Sequence, residues 1–432
     1  MNQMQWTRSQ PENLTKYHIP PARFTLPMST TILAAPLALP PQAEEAFQSQ
    51  AEHKTNVTTQ DSALTRLPSL DGWRALSIVL VLGSHMAVTT GFPERLTKSF
   101  HYLFDGHLGV RFFFVVSGLL ITWLMLVEER KTQKVNLRKF YARRALRILP
   151  VYVAFLIVAG GIQYFTICDH DLTTWIANLT FTRDFFPGGN HLSNHFWSLA
   201  VEEQFYLIWP LLFVSLVPTV RTRIIPFLVV AAILVAFINR CLWHFPLSDT
   251  QLWRNLFQER SFFNNVDSLA IGCLAAIWLA VDERKLRSFL TSRPRLVIVA
   301  SVLMLVEPYV MHWVTDRAWM PTALKSLGWA SWAGLGRTFQ SFGFVALALQ
   351  SIMLPSWGLY RCLNWRPVAA LGILSYSIYV WQNIFCASPK MFGLTDPWWM
   401  TYPLWLVPAF AAAIISYNFL EKPFFNLRHR FR

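Results

Sequence analysis

With 432 residues the chain is long enough for two or three soluble domains, yet 53% of it is apolar and only 14% charged, against roughly a quarter charged in soluble domains. Nineteen Trp and 34 Phe are too many to hide in one water-surrounded core. The formal charge of +14 is scattered over short segments between apolar runs with no nucleic-acid motif, so a membrane is indicated and nucleic acid is excluded as a partner.

Residues 1–66 are polar, contain proline and balance their charges, which reads as a disordered N-terminal extension. The apolar stretch 31–39 is too short and too broken by proline to span a bilayer, and it lacks the basic start of a secretory signal. Met28 is an alternative start. From Leu70 onward, ten apolar segments have the length that a hydrocarbon layer of about 30 Å requires. They lie near 70–90, 108–126, 148–165, 196–217, 224–238, 264–281, 296–311, 335–354, 367–384 and 403–420. The fold class expected is an all-α membrane protein, a bundle of about ten transmembrane helices. Residues 67–425 form its membrane-embedded domain and 426–432 a basic tail.

The loops assign its direction. Arg130, Lys131, Lys134, Arg138, Lys139, Arg143, Arg144 and Arg147 follow the second segment; Arg284, Lys285, Arg287, Arg293 and Arg295 follow the sixth. Arg221 and Arg223 follow the fourth, Arg361 and Arg366 the eighth, and Lys422 and Arg428 the tenth. Alternate loops are poorer in Lys and Arg, so the positive-inside rule places both termini in the cytoplasm and the chain in the cell membrane, the inner membrane of a bacterium. Five scattered Cys without a C-x-x-C pair indicate neither a disulfide framework nor a metal site.

Ionisable groups within spans are costly, so they are the functional candidates. Arg74 and His85 stand eleven residues apart in the first span, about three helical turns, hence on one face and about 16 Å apart along the axis. A snorkelling arginine with a hydrogen-bonded core histidine is the bland alternative. In the second span Ser117-Gly118 suits close helix packing. Arg144 and Arg147, spaced i, i+3 at the membrane edge, can hold a phosphate, although topology alone also explains arginines there. Glu202 and Glu203 are adjacent carboxylates in the fourth span and point about 100° apart; their plausible partners are Arg74, Arg144 and Arg147, with a structural ion pair as the alternative. Asp267 is a weaker case, and Glu421 reads as a solvated interfacial carboxylate.

Four motifs in order resemble acyltransferase family 3, the integral membrane O-acyltransferases: Leu70-Asp71-Gly72-Trp73-Arg74-Ala75 with His85, Gly109 to Ser117-Gly118, the arginine block from Phe140 to Pro150, and Trp197-Ser198-Leu199 running into Val201–Tyr206. Weaker echoes are Asp267 to Gly272, Leu371 to Tyr379, and Glu421 with Pro423. The resemblance covers about residues 67–425 and implies ten helices. It also implies transfer of an acyl group, often acetyl, from cytosolic acyl-coenzyme A as co-substrate, with no permanently bound cofactor. The acceptor would be a hydroxyl of a cell-surface glycan or a lipid-linked sugar. Arg74, His85, Arg144 and Arg147 carry over from the family's motifs, and Glu421 from its Glu-x-Pro element. Two departures matter. Gln382 stands after Tyr379-Val380-Trp381 where many relatives have histidine, and the extracytoplasmic esterase-like domain of some relatives would here have to be a separate partner protein, or be unnecessary.

Thioester-to-ester transfer needs a proton acceptor and exclusion of water, and histidine, with a reference pKa near 6.5, is the natural base. In this reading His85 deprotonates the acceptor. Arg144 and Arg147 hold coenzyme A phosphates, Arg74 orients the pantetheine arm or the oxyanion, and Glu202 or Glu203 positions an arginine. A relay through an acylated Ser117 or His85 stays open. The rival class is a transporter or flippase of glycolipids, against which no repeat relates residues 70–150 to 260–420. A glycan-binding scaffold would not require charges inside spans. Aromatics of the outer loops, Trp243, Trp253, Trp398 and Trp399, stack on sugars or anchor at the interface.

Overall fold

The computed structural model describes residues 67–166, 171–186, 191–244, 250–315, 321 and 334–427. All of them belong to one compact unit, Gln60–Arg432. The expected extension 1–66 and most of the basic tail lie outside the described residues.

Among the described residues, ten helices run for eleven residues or more: α1 (Leu70–Met86), α2 (Gly106–Thr132), α3 (Leu137–Phe165), α4 (Phe196–Ser215), α5 (Pro218–His244), α6 (Phe262–Val281), α7 (Pro294–Thr315), α8 (Gly336–Met353), α9 (Arg366–Cys386) and α10 (Leu406–Ser416). One falls on each expected apolar segment. Six helical stretches, containing α2, α3, α5, α6, α7 and α9, are long and apolar enough to cross a membrane. The others are shorter or carry charge. α1 spans only about 25 Å at 1.5 Å per residue, because Ser69 turns into the left-handed region (φ 66°) just before it. The hydropathy of the sequence passed over several short helices, among them the amphipathic Glu94–Leu103 and Glu283–Ser292.

Local chemistry sets the boundaries. Asp105 caps α2, its Oδ1 accepting from the backbone N–H groups of His107 (2.8 Å) and Leu108 (3.1 Å). Gln133 ends α2 in the left-handed region (φ 59°), and Asn136 caps α3 by accepting from the N–H of Lys139. Within two residues the chain has reversed.

Packing is densest between α2 and α6, followed by α1 against α9 and α7 against α8. The α2–α6 crossing depends on paired glycines. A Cβ on Gly118 would lie 2.0 Å from the Leu269 carbonyl oxygen, and one on Gly272 would lie 2.2 Å from that of Val115. The backbones therefore touch, as small residues permit in membrane helices. Of the two roles open to Ser117-Gly118, close packing is the one Gly118 has.

The arginine-rich segments meet at one end of the bundle. Arg130 donates to the Ala280 carbonyl, Arg143 pairs with Glu128 at 2.6 Å, and Arg221 pairs with Glu129 at 2.6 Å. Glu259, Arg240 and Tyr309 lie towards the opposite end, where Arg240 donates to the Gly334 carbonyl and Tyr309 to Asp105. We call these the basic end and the far end.

Candidate active site

Two adjoining cavities are lined by most of the candidate residues. The first lies among α1, α2, α3, α4 and α9, and its wall includes Arg74, Ser117, Arg144, Arg147, Glu202 and Tyr206. Five of the residues selected from sequence are thus brought together from four helices. Three guanidinium groups face one carboxyl, an excess suited to a phosphate-bearing ligand. Glu202 is held from two sides, accepting from Ser117 Oγ at 2.9 Å and from the Tyr206 hydroxyl at 3.4 Å. Arg144 lies 4.3 Å over the Tyr206 ring, a cation–π contact that fixes the guanidinium plane. Arg74 stays near Asp71, with 3.9 Å between the charged atoms.

Glu203 points elsewhere, as the 100° offset requires. It is not on the cavity wall, and its buried Oε1 has no hydrogen-bond partner. Glu421 corrects the sequence reading of a solvated carboxylate, since only 2% of the residue is exposed. A π-helical turn, Tyr417–Glu421, follows α10. The wider turn swings Glu421 inward, where Ser377 Oγ donates to its carboxylate. It too lies off the cavity wall. Asp267 likewise has a structural partner: Arg240 reaches both its oxygens at 2.9 Å, and Thr338 donates to it at 2.6 Å.

His85 lines the second cavity, of about 560 Å³, at the far end. The one-face arrangement of Arg74 and His85 therefore resolves into two chambers rather than one. Both chambers include Val110 and Tyr379 in their walls. The Tyr379 hydroxyl donates to the His195 carbonyl at 2.6 Å and also contacts Ser198 Oγ, which holds the ring across the boundary.

The second cavity supplies residues that sequence reasoning passed over. Nδ1 of His85 lies 3.2 Å from Oε1 of Gln382. An amide oxygen can only accept, so Nδ1 carries the proton and Nε2 keeps its lone pair. Gln382, read from sequence as a lost base, is fully buried and sets the tautomer of His85. Cys386 Sγ lies 3.8 Å from the same nitrogen. His195 donates through Nε2 to the Val380 carbonyl at 3.1 Å, and Arg260 donates to Asn194 at 2.8 Å on the same wall. One signal was available: Tyr379, Gln382, Asn383 and Cys386 form a polar stripe at i, i+3, i+4 and i+7 near the C-terminal end of α9.

The family description "Acyltransferase domain" matches residues 67–418. The chain is 25% identical over 375 residues to the peptidoglycan O-acetyltransferase OatA of Listeria monocytogenes, covering 83% of this chain and 55% of that protein. It is 25% identical over 385 residues to the O-acetyltransferase OatA of Staphylococcus aureus, covering 83% and 57% respectively. The chain thus spans just over half the length of these relatives. No solved structure matches it. The match leaves the transporter alternative without support. A multi-pass helical bundle, a family match across its described core and motifs converging on two adjoining chambers agree, and the chain belongs to the acyltransferase domain family, acyltransferase family 3.

Proposed function

We propose that the chain is an O-acyltransferase that moves an acyl group, acetyl in the first instance, from acyl-coenzyme A entering at the basic end to a hydroxyl of a surface glycan at the far end. The observation that carries this reading is the meeting of two cavities at Tyr379 and Val110, one rich in arginine and the other holding a histidine with a fixed tautomer. In this scheme all ten long helices cross the bilayer and the basic end faces the cytoplasm. The name of the Listeria monocytogenes relative makes peptidoglycan the first acceptor class to test.

Arg144 and Arg147 bind the phosphates of the donor, and Arg74 guides its arm inward. Glu202, held by Ser117 and Tyr206, offsets the mutual repulsion of the arginines and positions them. At the boundary, His85 Nε2 takes the proton of the acceptor hydroxyl while its oxygen attacks the thioester carbon. The carbon–sulfur bond breaks, and the imidazolium returns the proton to the leaving thiolate. Gln382 holds the ring throughout.

The test is a full-length protein in detergent micelles with labelled acetyl-coenzyme A and an N-acetylglucosamine oligomer. Wild type is expected to release coenzyme A and acetylate the sugar. His85→Ala, eluting normally on gel filtration, is expected to lose transfer by about 100-fold or more, the usual contribution of a general base. Wild-type turnover in His85→Ala would overturn the mechanism.

A further inference from the structure

A third cavity, of about 340 Å³, opens at the far end beside the histidine chamber. Nothing in the acyl-transfer scheme uses it. Its wall brings Arg111, Arg240 and Arg337 together with Asp105 and Glu259, and each arginine has its own carboxylate. Arg111 lies 3.5 Å from Asp105, Arg337 pairs with Glu259, and Arg240 pairs with Asp267. Three cations against three anions leave no net charge to attract a phosphate or a carboxylate. Fixed donors and acceptors remain, and such a set recognises hydroxyl and amide groups.

Three polar atoms of residues on this wall lack partners. Nε of Arg111 and Oδ1 of Asn264 are buried without a hydrogen bond, in residues only 7% and 1% exposed, and the third such atom is Nε of Arg240. Buried polar atoms are almost always satisfied, and orphan donors and an orphan acceptor in residues of one cavity wall are what a hydroxyl would complete. Tyr309 and Trp243 lie on the same wall and can pack against the apolar face of a sugar ring. The Tyr309 hydroxyl is already committed to Asp105 Oδ2, so its ring is fixed. His107 lines both this cavity and the His85 chamber, which makes the two neighbours rather than separate features.

We propose that this third cavity is the acceptor subsite, seating an uncharged sugar residue of the glycan so that a hydroxyl reaches past His107 towards His85. The proposal rests on the acyltransferase reading for its purpose, but its binding claim is independent of acyl chemistry.

The experiment measures binding without donor. Tetra-N-acetylchitotetraose is titrated by calorimetry into the full chain in micelles, using wild type, Trp243→Ala, Asn264→Asp and the donor-side variant Arg147→Gln. Wild type and Arg147→Gln are expected to bind alike. Trp243→Ala, at a position 40% exposed, should fold normally and weaken binding about tenfold, as loss of one stacking anchor does. Asn264→Asp adds an unpaired charge and should weaken it further. Equal binding by all four proteins, or none by wild type, would overturn the subsite. So would displacement of the sugar by inorganic phosphate, which would make the cavity an anion site. Sugar binding with no acyl turnover would leave the subsite standing and remove the catalytic reading instead.

Discussion

At the scale of the residue, Gln382 shows how a substitution in a family motif can be read in two ways. From sequence alone it is a position that lost a base. In the fold its amide oxygen lies 3.2 Å from His85 Nδ1, which makes it the positioning residue of the mechanism proposed above. Gln382→Leu should therefore lower kcat about tenfold, the size of one lost hydrogen bond, with KM for acetyl-coenzyme A unchanged. Gln382→Glu should preserve the tautomer and retain most activity. Steady-state kinetics on both variants checks this: loss in Gln382→Leu with retention in Gln382→Glu is the expected pattern, and equal activity of all three proteins would overturn it. A second residue makes a pH prediction. Asp184, in the segment between α3 and α4, is fully buried, and burial raises its carboxyl to about 7 even though Gln204 and the Phe262 N–H donate to it. The folded state holds the proton more tightly than the unfolded chain does. Its stabilising share is complete below the unfolded value of 3.8 and is lost as pH rises from there to about 7. The melting temperature in micelles should fall over that window, and Asp184→Asn should flatten the fall.

At the scale of the element, the α2–α6 crossing carries the clearest consequence. Both glycines sit where any side chain would meet a carbonyl oxygen of the facing backbone. Gly118→Val should cost at least about 1–3 kcal/mol through overpacking, read as a lower melting temperature and reduced recovery from membranes. A loss confined to kcat would instead point to Ser117 next door. Helices were the most legible part of the molecule, because long apolar runs have few alternatives in lipid. Their ends were less so: the left-handed turn at Ser69 and the cap at Asp105 are single-residue events that an average over hydropathy blurs. The π turn was invisible, since nothing in Tyr417-Asn418-Phe419-Leu420-Glu421 announces one extra residue per turn, and the burial of Glu421 follows from that turn alone. Pairings between distant helices were equally hidden. Asp267 and Arg240, or Asp105 and Arg111 with Tyr309, meet only once tertiary packing brings their helices together.

At the scale of the whole molecule, the arrangement is two recesses approaching from opposite ends. The arginine cluster was legible because cations near a membrane edge stand out, and Glu202 because a carboxylate in an apolar run does. The partition was not, since only tertiary packing puts Tyr379 and Val110 between the two cavities. If Tyr379 closes the boundary, Tyr379→Ala should merge the chambers. In sealed proteoliposomes with an imposed pH gradient, that variant should dissipate the gradient faster than wild type, whereas Tyr379→Phe, which keeps the ring, should not.

The thinness of that partition has an electrical meaning. Where water penetrates a bilayer protein from both sides, the voltage drops across the remaining insulator, and each elementary charge carried through it costs or gains about 2.3 kcal/mol per 100 mV. An acetyl group is neutral, so in the proposed reaction handing it across this septum would do no work against the potential, while the multiply charged nucleotide carrier would never have to enter the field. Under the proposed function a cell would place an acyl group on the far side without spending its proton gradient, and the rate of transfer should be indifferent to the voltage applied.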